Sequence, residues 1–280
     1  MEINKRYLER LLETAIDEDI AFSGDITSEN IFERSHISKG RFISKEEGIF
    51  CGEEILRYIF KNKVKDGEIE IKKKDGEYLQ KGDIIAKVKG NTKDILLFER
   101  TCLNIICHMS GIANKTMRLV KALNRADIRV VDTRKTLPGL RALQKYAVKI
   151  GGGYNHRSGL YDAVMIKENH IKAAGSIKEA VEKVRRNVSH VIKIEVETTD
   201  LKEVHEAVEA GADIIMLDNM EHEQMSQACI IINRRALIEI SGNISDDNIK
   251  ERVKELPVDI ISSGALTHSV KVFDISFLLD

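Results

Sequence analysis

Apolar and polar positions alternate in two distinct ways along the 280-residue chain. From residue 4 to about 17, Tyr7, Leu11, Leu12, Ala15 and Ile16 recur at helical spacing and predict an amphipathic first helix. "SGDITSEN" then reads as a turn. Between residues 39 and 90 short strands alternate with glycine steps, in "KGRFISKEEGIFCG" and "GEIEIKKKDGEYLQKGDIIAKVKG". The DG and KG steps mark hairpin turns, so an antiparallel sheet is expected. A long helical stretch follows, "DILLFERTCLNIICHMSGIANKTMRLVKAL", with Gly111 as a break or a close-packing point.

From about residue 128 the pattern changes. Six apolar runs each end in polar or charged residues: "IRVVDTR", "AVMIKEN", "VIKIEVE", "ADIIMLDN", "ALIEISGN" and "VDIISSGA". Amphipathic segments such as "LKEVHEAVEAGA" separate the later ones. Strands alternating with helices imply parallel βαβ units. Glu197, Asp218 and Glu239 fall 21 residues apart, which is self-similarity on the scale of one such unit. An open doubly wound sheet and a barrel both fit. A barrel is favoured, because polar residues stand at the carboxyl end of nearly every strand and barrel strand ends converge on one mouth.

Composition narrows the class. Apolar residues make up 42%, enough for a sizeable core, and the length gives a soft prior of about two domains. The net charge of −1 offers no global attraction to nucleic acid or anionic lipid, so any anion site must be local. Neither kind of partner is expected. No stretch reads as the ~20 apolar residues that span a bilayer, and the charged N-terminus lacks an apolar signal core. Cys51, Cys102, Cys107 and Cys229 are scattered without a CxxC pair, which suits reduced thiols and a cytoplasmic protein.

The chemistry concentrates between residues 132 and 172, where eight Lys or Arg face three Asp or Glu. In "DTRKTLPGLR", Thr133, Arg134 and Lys135 leave a strand; they suit an anion, as fork and point charge, or a solvated basic loop. "GGGYNHRSGL" matches neither GxGxxG nor a P-loop. Its glycines allow a close backbone approach or a simple turn, and His156 and Arg157 follow on a loop. Lys167 ends the apolar run "AVMIK", so it either snorkels or points into a mouth where it needs an anionic partner. Glu195 and Glu197 share one strand face, and Asp218 ends "IIMLD". Such carboxylates suit a hydrated Mg²⁺ with substrate phosphates, or ion pairs with Lys135 and Lys167. "EISGN" and "ISSGALTHS" are strand-to-glycine turns that fit a phosphate cradle or plain helix capping.

Taken together, these strings resemble the nicotinate-nucleotide pyrophosphorylase (carboxylating), or quinolinate phosphoribosyltransferase, family. The likeness runs from "GDITSE" and "ERTCLNIICHMSGIAN" through "DTRKTLPGLRALQKYAVKIGGGYNHRSGLYDAVMIKENHI" to "EVE", "LDN", "SGN" and "SGALTHS". It implies an α/β fold with an N-terminal α/β sandwich domain, residues 1–106 joined by 270–280. A parallel (β/α) barrel of six to seven strands over 107–269 is to carry the active site.

The resemblance also implies phosphoribosyl transfer from phosphoribosyl pyrophosphate to quinolinate with decarboxylation, yielding nicotinate mononucleotide for NAD biosynthesis. It assigns Lys135, Lys167, Glu197 and Asp218 to catalysis, the last two also to Mg²⁺. Arg100, Thr133, Arg134, His156, Arg157, Ser241, Gly242, Asn243, Ser263, Gly264 and Ala265 are assigned to substrate. Arg100 is to act across the interface of a homodimer, with a trimer of dimers as the larger assembly. The family pattern usually has Glu at Gln144 and Gly at Asn243; Asn tolerates positive φ, so the turn can survive. The alternatives are a molybdenum-operon relative of the same fold acting on a different acid, against which Lys167 in "IKENH" counts, and a non-catalytic anion-binding barrel.

Overall fold

A computed structural model describes residues 3–280. The chain begins with α1 (Lys5–Ile20), α2 (Ile26–Ile31), β1 (Ile37–Ser44), β2 (Gly48–Ile49) and α3 (Glu53–Asn62). Next come β3 (Glu68–Ile71), β4 (Tyr78–Leu79), β5 (Ile84–Asn91) and α4 (Thr92–Leu123). Then follow β6 (Arg129–Val131), α5 (Arg141–Ile150), β7 (Val164–Ile166), α6 (Glu168–Ala174), α7 (Ile177–Asn187), β8 (Ile194–Thr198) and α8 (Leu201–Glu209). The last are β9 (Ile214–Asp218), α9 (His222–Ile232), β10 (Leu237–Ser241), α10 (Ile249–Arg252), β11 (Ile260–Ser262), α11 (Ala265–His268) and β12 (Ile275–Leu279). Two compact units result. One comprises the chain up to Thr116 with Leu137–Gly152 and Val270–Asp280; the other comprises Met117–Thr136 and Gly153–Ser269.

The first unit is built on an antiparallel sheet in the order β12-β1-β5-β3. The C-terminal strand β12 pairs with β1, setting Phe42 opposite Phe277. Their rings lie 4.8 Å apart, and Phe60 of α3 meets Phe42 edge-on at 6.2 Å. Asn4 caps α1 by accepting from the Arg6 and Tyr7 N–H groups, and Leu8 and Leu12 turn into the core. Residues 23–30 are not only a turn. Asp25 accepts from the Thr27 and Ser28 N–H groups and starts α2. The helix α4 is unbroken at Gly111, where a Cβ would lie 2.4 Å from the Lys271 carbonyl oxygen, so this glycine is a close-packing point. By length and composition α4 does reach membrane-spanning size, contrary to the reading of the sequence; 56% of its most apolar window is buried inside the protein. All four cysteines are free.

The second unit holds a six-stranded parallel sheet, ordered β6-β11-β10-β9-β8-β7, with helices in the connections. Its strands are short apolar runs, as expected where both faces are covered. Asp213 and Asp259 brace the amino ends, accepting from the Ile194 and Ile238 N–H groups at 2.8 Å each. Beyond β6 a lone parallel bridge joins Val131 to Tyr154, adding a partial seventh strand to a barrel-like sheet. The carboxyl ends of all six strands lead into one cavity.

Candidate active site

The cavity has a volume of about 400 Å³ and takes a lining residue from, or just beyond, the end of every strand. Thr133, Arg134 and Lys135 follow β6, Lys167 follows β7, Glu197 comes from β8, Asp218 and Ser241 end β9 and β10, and Ser262 ends β11. His156 and Arg157 reach it from the loop after Tyr154. Adjoining it, Lys135, Asp218, Ser241 and Ser262 also line a lobe of about 330 Å³ formed by Gly242, Asn243, Ser263, Gly264 and Ala265. Arg100 lines neither; it faces a separate cavity of about 530 Å³ within the first unit. The other assigned residues therefore converge in one two-lobed space.

Local chemistry sets each position. Gly151 packs against α4: a Cβ there would stand 2.4 Å from the Ala113 carbonyl oxygen. Gly152 adopts φ +87°, a conformation glycine takes freely. Past these turns, buried Asp132 accepts from Asn155 Nδ2 at 2.6 Å and from the His156 N–H at 2.9 Å, fixing the loop that carries His156 and Arg157. Lys167 is the N-cap of α6, where its N–H donates to His170 Nδ1 at 3.0 Å. Gly242 takes φ +97°, and Asn243 sits in the left-handed region at φ +51°, so the turn accommodates its asparagine. Gln144 is buried, accepts from the Leu137 N–H at 2.9 Å and meets His108 Nε2 at 2.7 Å.

Charge is unevenly matched. Lys167 pairs with Glu197. Arg134, Lys135 and Arg157 have no acidic ion-pair partner among the described residues, and Arg134 Nε is buried without a hydrogen bond. Burial, with Arg134 nearby, pulls Arg157 below the usual guanidinium range. An anion would relieve this excess. Glu197 and Asp218 open onto the same cavity, and Asp218 accepts from Asn219 Nδ2 at 2.9 Å. Two carboxylates beside a phosphate-sized lobe form a donor set that fits a hydrated Mg²⁺, which binds through one or two carboxylates plus phosphate oxygens.

Some contributors escaped the sequence reading, while Glu195 and Glu239 were named there without their depth. Met165, Met216 and Ser262 line the cavity. Glu195 and Glu239 lie in the barrel interior, where His156 Nε2 is 3.1 Å from Glu195 Oε2 and 3.5 Å from Glu239 Oε2. Burial lowers the imidazole's tendency to hold charge, but the two carboxylates outweigh it and push His156 up to about 10. Burial and the neighbouring Glu239 push Glu195 up. The equal spacing of Glu197, Asp218 and Glu239 is misleading about depth. Asp218 is level with Ser241, whereas Glu197 and Glu239 both pair with Met216, two residues deeper on β9.

With this geometry in place, comparison with known proteins is decisive. Residues 25–110 match the N-terminal domain, and residues 112–278 the C-terminal domain, of quinolinate phosphoribosyl transferase. The chain belongs to that family. A relative from Bacillus subtilis, "Probable nicotinate-nucleotide pyrophosphorylase [carboxylating]", is 43% identical, covering 98% of this chain and 94% of its own. One of the same name from Methanocaldococcus jannaschii is 45% identical, covering 97% of each. The crystal structure of NadC from Streptococcus pyogenes superposes with a TM-score of 0.94 at 40% identity, covering 100% of this chain and 99% of the other. Family membership and barrel-mouth geometry agree.

Proposed function

We propose that the protein is an enzyme that transfers phosphoribosyl from phosphoribosyl pyrophosphate to quinolinate, releasing pyrophosphate and CO₂ and forming nicotinate mononucleotide for NAD biosynthesis. The observation that carries the reading is the excess of cations at the barrel mouth, where Arg134, Lys135 and Arg157 have no acidic ion-pair partner among the described residues. A pyridine dicarboxylate and a phosphorylated sugar pyrophosphate are the kind of anions such a mouth takes up. Family membership supplies the reaction class.

In this reading Arg134 and Arg157 grip the two carboxylates as planar forks, with His156 beside them. Lys135 and the turns at Ser241, Gly242, Asn243 and Ser263, Gly264, Ala265 hold the phosphates through backbone N–H groups. Thr133 contacts the same substrates. The pyridine nitrogen attacks the anomeric carbon as its bond to pyrophosphate breaks, and positive charge grows on the ribose ring. Glu197 and Asp218 stabilise that charge, while Lys167 neutralises Glu197 and faces the substrate carboxylates. The bond from ring C2 to its carboxylate then breaks, CO₂ leaves, and the electron pair left at C2 takes a proton. Glu197 and Asp218 would hold Mg²⁺, which supplies charge neutralisation at the departing pyrophosphate. Rate enhancement comes from positioning and electrostatics, with no covalent protein intermediate.

The reading also takes the protein as a cytoplasmic homodimer, or a trimer of dimers, with Arg100 reaching the neighbouring subunit's cavity. The test is turnover by purified protein with Mg²⁺ and phosphoribosyl pyrophosphate, offering quinolinate or nicotinate as acceptor. Nicotinate mononucleotide should form from quinolinate alone. Turnover of nicotinate but not quinolinate would overturn the substrate assignment.

A further inference from the structure

Beneath the cavity, His156, Glu195 and Glu239 bring one ring nitrogen and two carboxylates within 4.8 Å of one another. Among the described residues no other cluster of three or more His, Cys, Asp or Glu converges in this way. Both glutamates are buried, Glu195 at 2% and Glu239 at 0% exposure. Among the described residues Glu195 Oε1 and both oxygens of Glu239 find no hydrogen-bond partner, and the ion-pair approach to Glu239 is that of His156 Nε2 at 3.5 Å. A buried carboxylate so poorly satisfied by hydrogen bonds is costly to a fold. Its presence calls for another explanation.

A metal ion is one candidate, and the ring's hydrogen bonds argue against it. Nε2 faces both carboxylates, which keep a proton on it, and the Arg157 N–H lies 2.7 Å from Nδ1. That proton points at the glutamates and occupies the nitrogen a metal would need. The ring thus links two sets of contacts. On one side it meets the buried acids; on the other it faces the backbone N–H of Arg157, the fork at the cavity. Asp132 holds the same loop one residue earlier.

We propose that Glu239, with Glu195, is a positioning residue whose charge holds the His156 ring by its Nε2 side and thereby aims His156 and Arg157 at the substrate dicarboxylate. The inference rests on the functional reading above. It makes the buried acids part of the specificity for the dicarboxylate, with no share in holding the sugar phosphate. That division follows from the architecture: Ser241, Gly242, Asn243, Ser263, Gly264 and Ala265 line the other lobe, into which neither His156 nor Arg157 reaches.

The experiment compares Glu239→Leu and Glu239→Gln with wild type by melting temperature, by separate KM values for the two substrates, and by ¹⁵N NMR of labelled histidine. Glu239→Leu should still melt cooperatively, KM for quinolinate should rise about 10- to 100-fold, and KM for phosphoribosyl pyrophosphate should stay within about twofold. Its His156 ring should lose its charge at a lower pH than in wild type. Glu239→Gln, which keeps a polar oxygen facing Nε2, should restore most of the quinolinate KM. Failure of Glu239→Leu to fold, a parallel rise in both KM values, or stoichiometric metal retained by wild type and lost in Glu239→Gln would each overturn the proposal. The two readings can fail separately. A wild-type enzyme inactive on quinolinate refutes the function, while the NMR comparison still judges the hold on His156.

Discussion

Replacing Lys167 with Met separates a stabilising ion pair from a substrate-binding one. The lysine pairs with Glu197, and their side chains are 45% and 19% exposed. A pair that open to water contributes at most about 1 kcal/mol to folding. For a protein of this size the melting temperature should therefore move by no more than about 2–4 °C. The effect on catalysis is larger. Under the proposed function, substitution removes a positive charge facing the dicarboxylate and leaves Glu197 without its lysine partner. Two unit charges 4 Å apart interact by about 4 kcal/mol at an effective dielectric of 20, and partial exposure lowers this to about 2 kcal/mol. At 1.4 kcal/mol per decade the loss in kcat/KM for quinolinate is roughly 30- to 700-fold. Initial rates at varied quinolinate, with thermal melts on the same preparations, measure both quantities. A variant with near-normal kcat/KM, or one whose activity falls only with its melting temperature, would refute the reasoning.

Three further predictions concern stability. Asp75 caps α3 from a distance, accepting from the Gly52 and Glu53 N–H groups at 2.6 and 2.8 Å and from the Tyr146 hydroxyl at 2.7 Å. Asp75→Ala should cost about 2–3 kcal/mol in chemical denaturation and Asp75→Asn under about 1, since the amide oxygen can take both N–H bonds. Gly151→Ala drives a Cβ against α4 and should cost about 1–3 kcal/mol. The folded-state pKa of His156, pushed up to about 10, lies above its ordinary 6.5. Its charge therefore stabilises fully below pH 6.5, and that contribution is lost as pH rises toward 10. Denaturation midpoints across that window should fall more in wild type than in His156→Asn; equal slopes would show that the imidazole does not titrate there.

Much of this was legible in the chain. Six apolar runs ending in charge predict parallel strands with a polar mouth, and period-two alternation puts Glu195 with Glu197 on one face. The assigned cavity residues lie at strand ends because sequence order maps directly onto depth in a short strand. Register between strands is not written so plainly. Equal spacing made Glu239 look like a third member of the row, yet it is level with Glu197 and not with Asp218, and it stays out of the cavity lining. Met165, Met216 and Ser262 gave no signal, since a methionine or serine at a strand end reads as packing. The helix α2 was hidden by its polar composition, although Asp25 ahead of Thr27 and Ser28 is a capping pattern. Gly111 offered two meanings, and only the neighbouring Lys271 carbonyl chooses between them.

The central claim is that one cavity joins the phosphoribosyl group to quinolinate and expels the carboxylate adjacent to the ring nitrogen. Quinolinate labelled with ¹³C in that carboxylate tests it most directly. The account predicts one labelled CO₂ for each pyrophosphate released, with unlabelled nicotinate mononucleotide as product. Pyrophosphate release with the label retained in the nucleotide, or no release of either, would contradict it.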